Sequence, residues 1–247
     1  MSLAFSNTSD LNGILQLIEK EVGFDYGFIT GNTNRLKEWT AEVNLVHDFV
    51  VAKAIKAGGT WQFDDSNHTD FPFITADLKS NQRDYTFTTD EQGNIILDIY
   101  KVMVADASGN FSEIEPVDQQ TRKSDTASFY DGNNSGGTPS RYDKTANGIL
   151  LDYIPNYSYT KGIKAFINRE GSYFTTNDTT KKPGVDGRIH EYYVVEPALK
   201  YALRHGLASA QGLQIRKAEL EKLIDEVYCV RPRDESRRLV AAINESK

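Results

Sequence analysis

His190-Glu191 opens the helical zinc motif His-Glu-x-x-His, in which the second histidine would put both imidazoles on one helix face. Position 194 is valine, so the pair stays incomplete. His47, His68 and His205 stand apart from one another, and His47, beside Asp48 in a long helical pattern, is expected at a solvated or bundle-edge position. Asp64, Asp65 and Asp70 could offer oxygens to a hard cation, yet the run DDSNHTD lacks the alternating spacing of a calcium loop. No Gly-x-Ser-x-Gly elbow is present. The single cysteine, Cys229, follows Val227 and Tyr228 in a helical pattern, where a thiol packs as a small hydrophobe. The glycines of GNNSGGTPS are flanked by strand patterns, whereas a phosphate-cradling loop needs a helix and a placed lysine after it. No catalytic residue, metal site or cofactor is expected, and the chain reads as a non-enzyme.

Aromatic residues are the more abundant resource: 13 tyrosines, 12 phenylalanines and 2 tryptophans. Tyr153, Tyr157, Tyr159 and Tyr173 gather around GILLDYIPNYSYTKGIKAFINREG, residues 148–171, which reads as a strand, a polar turn and a second strand. Such rings serve sheet packing, protein interfaces or stacking platforms for carbohydrate or bases. The four tyrosines are the candidate contact residues of this hairpin.

A chain of 247 residues with 39% apolar and 26% charged residues can bury a sizeable core as one large or two small domains. A net charge of −7 argues against broad gripping of nucleic acid, which needs clustered lysine and arginine. One cysteine excludes an intrachain disulfide framework. No apolar run approaches the roughly 20 residues that cross a bilayer, and MSLAFSNTSD lacks a basic-then-apolar signal pattern. The chain is expected to be soluble, made in a cytoplasm and without a membrane partner.

The elements that must position these residues follow from periodicity. Leu11, Ile14, Leu15, Ile18 and Val22 form one face of a helix over 10–22, capped by Ser9 or Asp10 and stopped by Gly23. A second helix over 33–59 carries Leu36, Trp39, Val43, Val46 and Val50 at spacings of three and four. Short β-rich runs follow over 85–118, broken by the turn sequences DEQGN and DASGN. Helical spacing returns near 190, with Pro197 kinking that helix or lying in its first turn and Gly206 ending it. A last helix spans about 211–229 with Leu213, Leu220, Leu223, Ile224 and Val227 as its stripe. The expected class is α+β: terminal helices forming one helical bundle, with an antiparallel β module inserted. Its expected parts are 1–59 plus 190–230 as the bundle, 60–189 as the β-rich module, and 231–247 as a C-terminal tail.

Taken as one block, GTPSRYDKTANGILLDYIPNYSYTKGIKAFINREGSYFTTNDTTKKPGVDGRIHEYYVVEPALKYALRHG resembles the head–tail connector (adaptor) proteins of tailed bacteriophages. The shared features are a Pro-x-x-Tyr opening at Pro139–Tyr142, an apolar strand ending in proline at Ile149–Pro155, and a strand closing on a basic residue at Ile163–Arg169. A threonine- and aspartate-bearing loop, Thr175–Asp178, then leads to the aromatic and histidine start of a helix at Ile189–Tyr193. The earlier strand segment and the two helices on either side extend the resemblance over most of 9–229. Phe87-Thr88 replaces a common Leu-Pro pair, and Gly184-Val185-Asp186-Gly187 loosens the approach to the third helix.

The resemblance implies a virion structural protein at the head–tail junction. It would form a homo-oligomeric ring, commonly of about twelve copies, that docks beneath the portal protein and offers a platform to tail or further connector proteins. DNA would pass through the ring during packaging and ejection without sequence-specific binding, and an acidic lumen would repel its phosphates. Arg231, Arg233, Arg237, Arg238 and Leu239 are the expected portal contacts, since 231–247 is too polar to form a core and arginine suits bidentate pairing. The tail is expected to order against the portal on assembly. Tyr153, Tyr157, Tyr159 and Tyr173 would then meet tail components or neighbouring subunits. The alternative is a tail-associated β module that binds carbohydrate or another tail protein through those rings.

Overall fold

The computed structural model describes residues 2–58, 73–91, 93–117, 129 and 136–229. By contacts the chain divides into two compact units, Met1–Trp61 with Tyr173–Lys247, and Gln62–Ser172.

The first unit holds four helices among the described residues: α1 (Ile14–Val22), α2 (Thr33–Gly58), α3 (Tyr192–His205) and α4 (Ala210–Cys229). Helix α1 starts later than its apolar spacing predicts. The Asn7 side-chain oxygen accepts the Ser9 and Asp10 N–H groups at 3.2 and 3.1 Å, which winds that stretch into a turn. Leu11 consequently sits at φ 53° and is exposed. Gly13 offers no capping side chain; the Ile14 and Leu15 N–H groups donate instead to the Ala4 and Phe5 carbonyls. At the other end Gly23 adopts the left-handed conformation at φ 84°, and the Phe24 N–H returns to the Glu19 carbonyl at 2.8 Å.

Helix α2 is capped by Asn32, whose side-chain oxygen accepts the Asn34 and Arg35 N–H groups at 3.0 and 3.2 Å. Its buried stripe is Val43, Val46, Val50 and Ala54. Helix α3 is the hub. Tyr192, Tyr193, Val194, Val195, Ala198, Leu199 and Ala202 are all buried, and the helix packs on α1, α2 and α4. Pro197 lies inside it, where it forgoes only the bond to the Tyr193 carbonyl. Gly206 at φ 65° ends it.

The second unit is a seven-stranded sheet: β1 (Phe73–Leu78), β2 (Asp84–Thr86), β3 (Ile96–Ala105), β4 (Phe111–Pro116), β5 (Arg141–Thr145), β6 (Gly148–Leu151) and β7 (Tyr159–Arg169), in the order β1-β7-β3-β4-β5-β6-β2. Along β7, Ile163, Ala165 and Ile167 point into the core, while Lys164 and Phe166 alternate to the other face. Val102, Val104, Ile114, Tyr142, Ile149 and Leu151 join the same core from four other strands, and Ile74 and Leu78 of β1 and Tyr85 of β2 add to it.

The expected class is overturned. The chain is a mixed α/β protein of four helices and a seven-stranded curled sheet that forms a half-barrel, not a helical bundle carrying a small β insert. Nor is the sheet wholly antiparallel, because β4 and β5 run parallel. The long connection between them, 117–140, permits the crossover that a tight turn forbids.

The hairpin expected over 148–171 does not exist either. Strand β6 pairs with β5 and β2, and β7 pairs with β1 and β3, so the two consecutive strands are not neighbours. Seven residues containing Pro155 separate them, enough to carry the chain from one part of the half-barrel to another.

Candidate functional site

The five expected portal contacts, Arg231, Arg233, Arg237, Arg238 and Leu239, lie outside the described residues, as do His68, Asp64, Asp65, Asp70 and the Cys229 side chain.

The four tyrosines have separate environments. Tyr157 donates its hydroxyl to the Ala105 carbonyl at 2.7 Å, and Tyr157 and Tyr159 both pack, half-buried, against the sheet core. The Tyr159 ring occupies the space that a side chain at position 109 would need, so only glycine, at φ 88°, fits there. Tyr153 is exposed just past the end of β6, where its N–H donates to the buried Asp152 carboxylate at 2.9 Å. Tyr173 belongs to the helical unit and donates its hydroxyl to Asp48 at 2.7 Å. Two rings are thus committed to the sheet core, and only Tyr153 and Tyr173 keep broadly open faces.

A groove of about 450 Å³ lies between α2 and α3 in the helical unit. Its floor is aromatic. Trp39 and Tyr201 lie 5.7 Å apart, Phe24 meets Tyr201 edge-on at 5.1 Å, and His205 rests on Tyr201 at 4.1 Å. The walls carry opposite charge: Glu38 and Glu42 from α2, Lys200 and Arg204 from α3. Lys200 and Glu42 bridge the groove at 3.3 Å. Sequence reasoning missed this feature, but it left a trace. Glu38/Glu42 and Lys200/Arg204 are like-charge pairs at i, i+4, each unfavourable on an isolated helix and relieved only when the two helices face each other.

A smaller cavity of about 230 Å³ lies by Leu3, Leu17 and Val194. Arg216 of α4 reaches into its wall and pairs with Glu21 at 2.9 Å and with Glu191, linking α1, the start of α3 and α4. The arrangement ties three elements together through one guanidinium, whose planar fork suits two carboxylates.

Two histidines are buried in the helical unit. His47, expected near solvent, has no exposed surface; its Nδ1 lies 2.7 Å from the Tyr193 hydroxyl and its ring sits among Tyr173, Phe174 and Tyr193. Its Nε2 has no hydrogen-bond partner. Burial, reinforced by the nearby Lys181 charge, lowers its pKa to about 4. The partner hydroxyl is no better an acid, because complete burial drives the Tyr193 pKa well above its usual value. At His190, Nδ1 accepts the Leu3 N–H at 2.9 Å and Nε2 faces the Val185 carbonyl at 3.1 Å, the pattern of a neutral ring protonated on Nε2. Burial lowers its pKa as well. Both imidazoles hold packing in place.

Among the described residues no group of three or more histidine, cysteine, aspartate or glutamate side chains could hold a metal ion, and no helix is long and apolar enough to cross a membrane. No family model matches this chain, and no curated protein matches it.

Proposed function

We propose that this chain is a structural subunit of a tailed-bacteriophage particle. In this reading it is a head–tail connector that closes with its own copies into a ring beneath the portal, extends the DNA channel and seats the tail. The observation that carries the reading is the succession of elements: α1 and α2, the strands β1 to β7, then α3 and α4. That is the order in which the motifs of the connector resemblance fall. Exposed apolar side chains on three helices, Leu45 at 56%, Leu203 at 60% and Ile215 at 57%, add support, since a ring subunit needs contact surface on both flanks. The subunit makes and breaks no bond; its work is done by shape and contact. A carbohydrate platform would need several open rings on one face, and two of the four candidate tyrosines are packed into the sheet core.

Residues 231–247 are assigned to the portal contact. Deleting them should leave the far-ultraviolet circular dichroism of the remaining chain intact and abolish docking to portal-bearing heads; normal docking would end that assignment. Electron microscopy of intact particles tests the whole reading. The chain is expected as a closed ring between portal and tail, and finding it as a solitary subunit, or elsewhere in the particle, would overturn the proposal.

A further inference from the structure

We infer that the α2–α3 groove is the seat for helix α4 of a second copy of this chain. The inference rests on the ring reading and deepens it by naming the two surfaces that meet.

The groove has uncompensated charge on both walls. Glu42 and Lys200 neutralise each other, whereas Glu38 and Arg204 are exposed and make no ion pair with the described residues. An occupant must therefore bring a cation to the α2 wall and an anion to the α3 wall, together with an apolar group for the Trp39–Tyr201 floor.

Helix α4 has such a face. On the side turned to its own chain its charges are committed: Arg216 to Glu21 and Glu191, Lys217 to Glu196, Asp225 to Lys53. On the other side Ile215, Glu219 and Lys222 follow one another at spacings of four and three, which places them together. All three are exposed, Ile215 to 57%, and neither Glu219 nor Lys222 has an ion-pair partner among the described residues. Seated in the groove, Lys222 meets Glu38, Glu219 meets Arg204, and Ile215 covers the aromatic floor. The two surfaces differ and lie on different elements of one chain. Each copy therefore offers one and accepts the other, a heterologous contact that propagates and can close into a ring, where a self-complementary patch would stop at a dimer.

Charge exchange between full-length chains tests this, read by analytical ultracentrifugation over a concentration series. Wild type is expected to self-associate. Glu38→Lys and Lys222→Glu should each weaken association about tenfold, because reversal turns an attraction into a repulsion at every interface. An equimolar mixture of the two variants should regain wild-type association. At one junction the two reversed side chains then face each other as an opposite pair, and at the next the native pair forms. Arg204→Glu with Glu219→Lys provides an independent second exchange should either first variant misfold. Association that none of these substitutions moves, a mixture no better than its components, or a wild type that stays monomeric throughout would overturn the interface. Any of those results leaves the ring reading to be judged by where the chain sits in particles.

Discussion

An imidazole without exposed surface, 2.7 Å from a tyrosine hydroxyl and with its other nitrogen unpartnered, keeps its place only while neutral. The pKa of His47 falls from an ordinary 6.5 to about 4 in the folded chain, chiefly through burial. Above pH 6.5 neither state carries the proton, and the stability is fully present. As pH falls from 6.5 towards 4, the unfolded chain binds a proton that the folded chain refuses, and stability drains by about 3 kcal/mol. Urea unfolding at pH 7 and pH 4.5 should show most of that loss, and His47→Gln should flatten the slope. An equally steep decline in the variant would assign it to other groups. Tyr193→Phe leaves His47 Nδ1 without its partner and should cost about 1–3 kcal/mol at neutral pH. The sequence could not announce this site: beside Asp48, His47 resembles any solvated helix residue, and only the arrival of Tyr193 and Phe174 from far along the chain closes it off.

Among the elements, the same five-residue turn brackets β3 on both sides. In DEQGN the Asp90 carboxylate accepts the Asn94 backbone and side-chain N–H groups at 2.7 and 2.9 Å, and in DASGN Asp106 does the same for Asn110 at 2.9 and 3.0 Å. Both turns were legible, because Asp, Gly and Asn at those offsets encode them locally. What differs is context. Asp90 also receives Arg169 at 2.6 Å, and both side chains are almost fully buried, whereas Asp106 stands in solvent. Arg169→Met should cost about 3–5 kcal/mol by removing the cation from a nearly buried carboxylate. Lys144→Met, which breaks the half-exposed pair with Asp98, should cost less than about 1 kcal/mol. Similar losses in the two variants would refute the distinction. A backbone approach gives a third contrast: a methyl group on Gly148 would run into the Tyr85 carbonyl of β2, so Gly148→Ala should cost at least about 1–3 kcal/mol in thermal unfolding.

Strand pairing shows where local reading fails. The apolar alternation of β6 and β7 marked both as strands, yet period two says nothing about which strand lies alongside. Adjacency in sequence argued for a hairpin, while β7, with Ile163, Ala165 and Ile167 all buried, runs between β1 and β3. Helix stripes are legible in larger part. Of Leu36, Trp39, Val43, Val46 and Val50 on α2, all but Leu36 are buried. Of Leu213, Leu220, Leu223, Ile224 and Val227 on α4, Leu213, Leu220 and Ile224 are buried while Leu223 and Val227 are half-buried. The α2–α3 groove needed both helices at once, and neither Glu38 nor Arg204 signals a site alone.

At the scale of the molecule, the two units carry different proton chemistry. His47 and His190 are both in the helical unit, and burial lowers both pKa values. At His190 a second proton would fall on Nδ1, directly facing the Leu3 N–H that it now accepts at 2.9 Å, so acid also loosens the N-terminal segment that meets the start of α1. No histidine is found among the described residues of the sheet unit, whose core is Ile, Val, Leu, Ala, Phe and Tyr side chains and in which a buried ion pair joins Asp90 to Arg169. Acidification from pH 7 to pH 4.5 should therefore act first on the helices. Hydrogen exchange should show amide protection in α2 and α3 falling on the order of a hundredfold more than in β3 and β7, as local stability drains from one cooperative block before the other. Protection lost in parallel across α2, α3, β3 and β7 would mean that the units unfold as one, and the imidazoles would not set the acid limit of either.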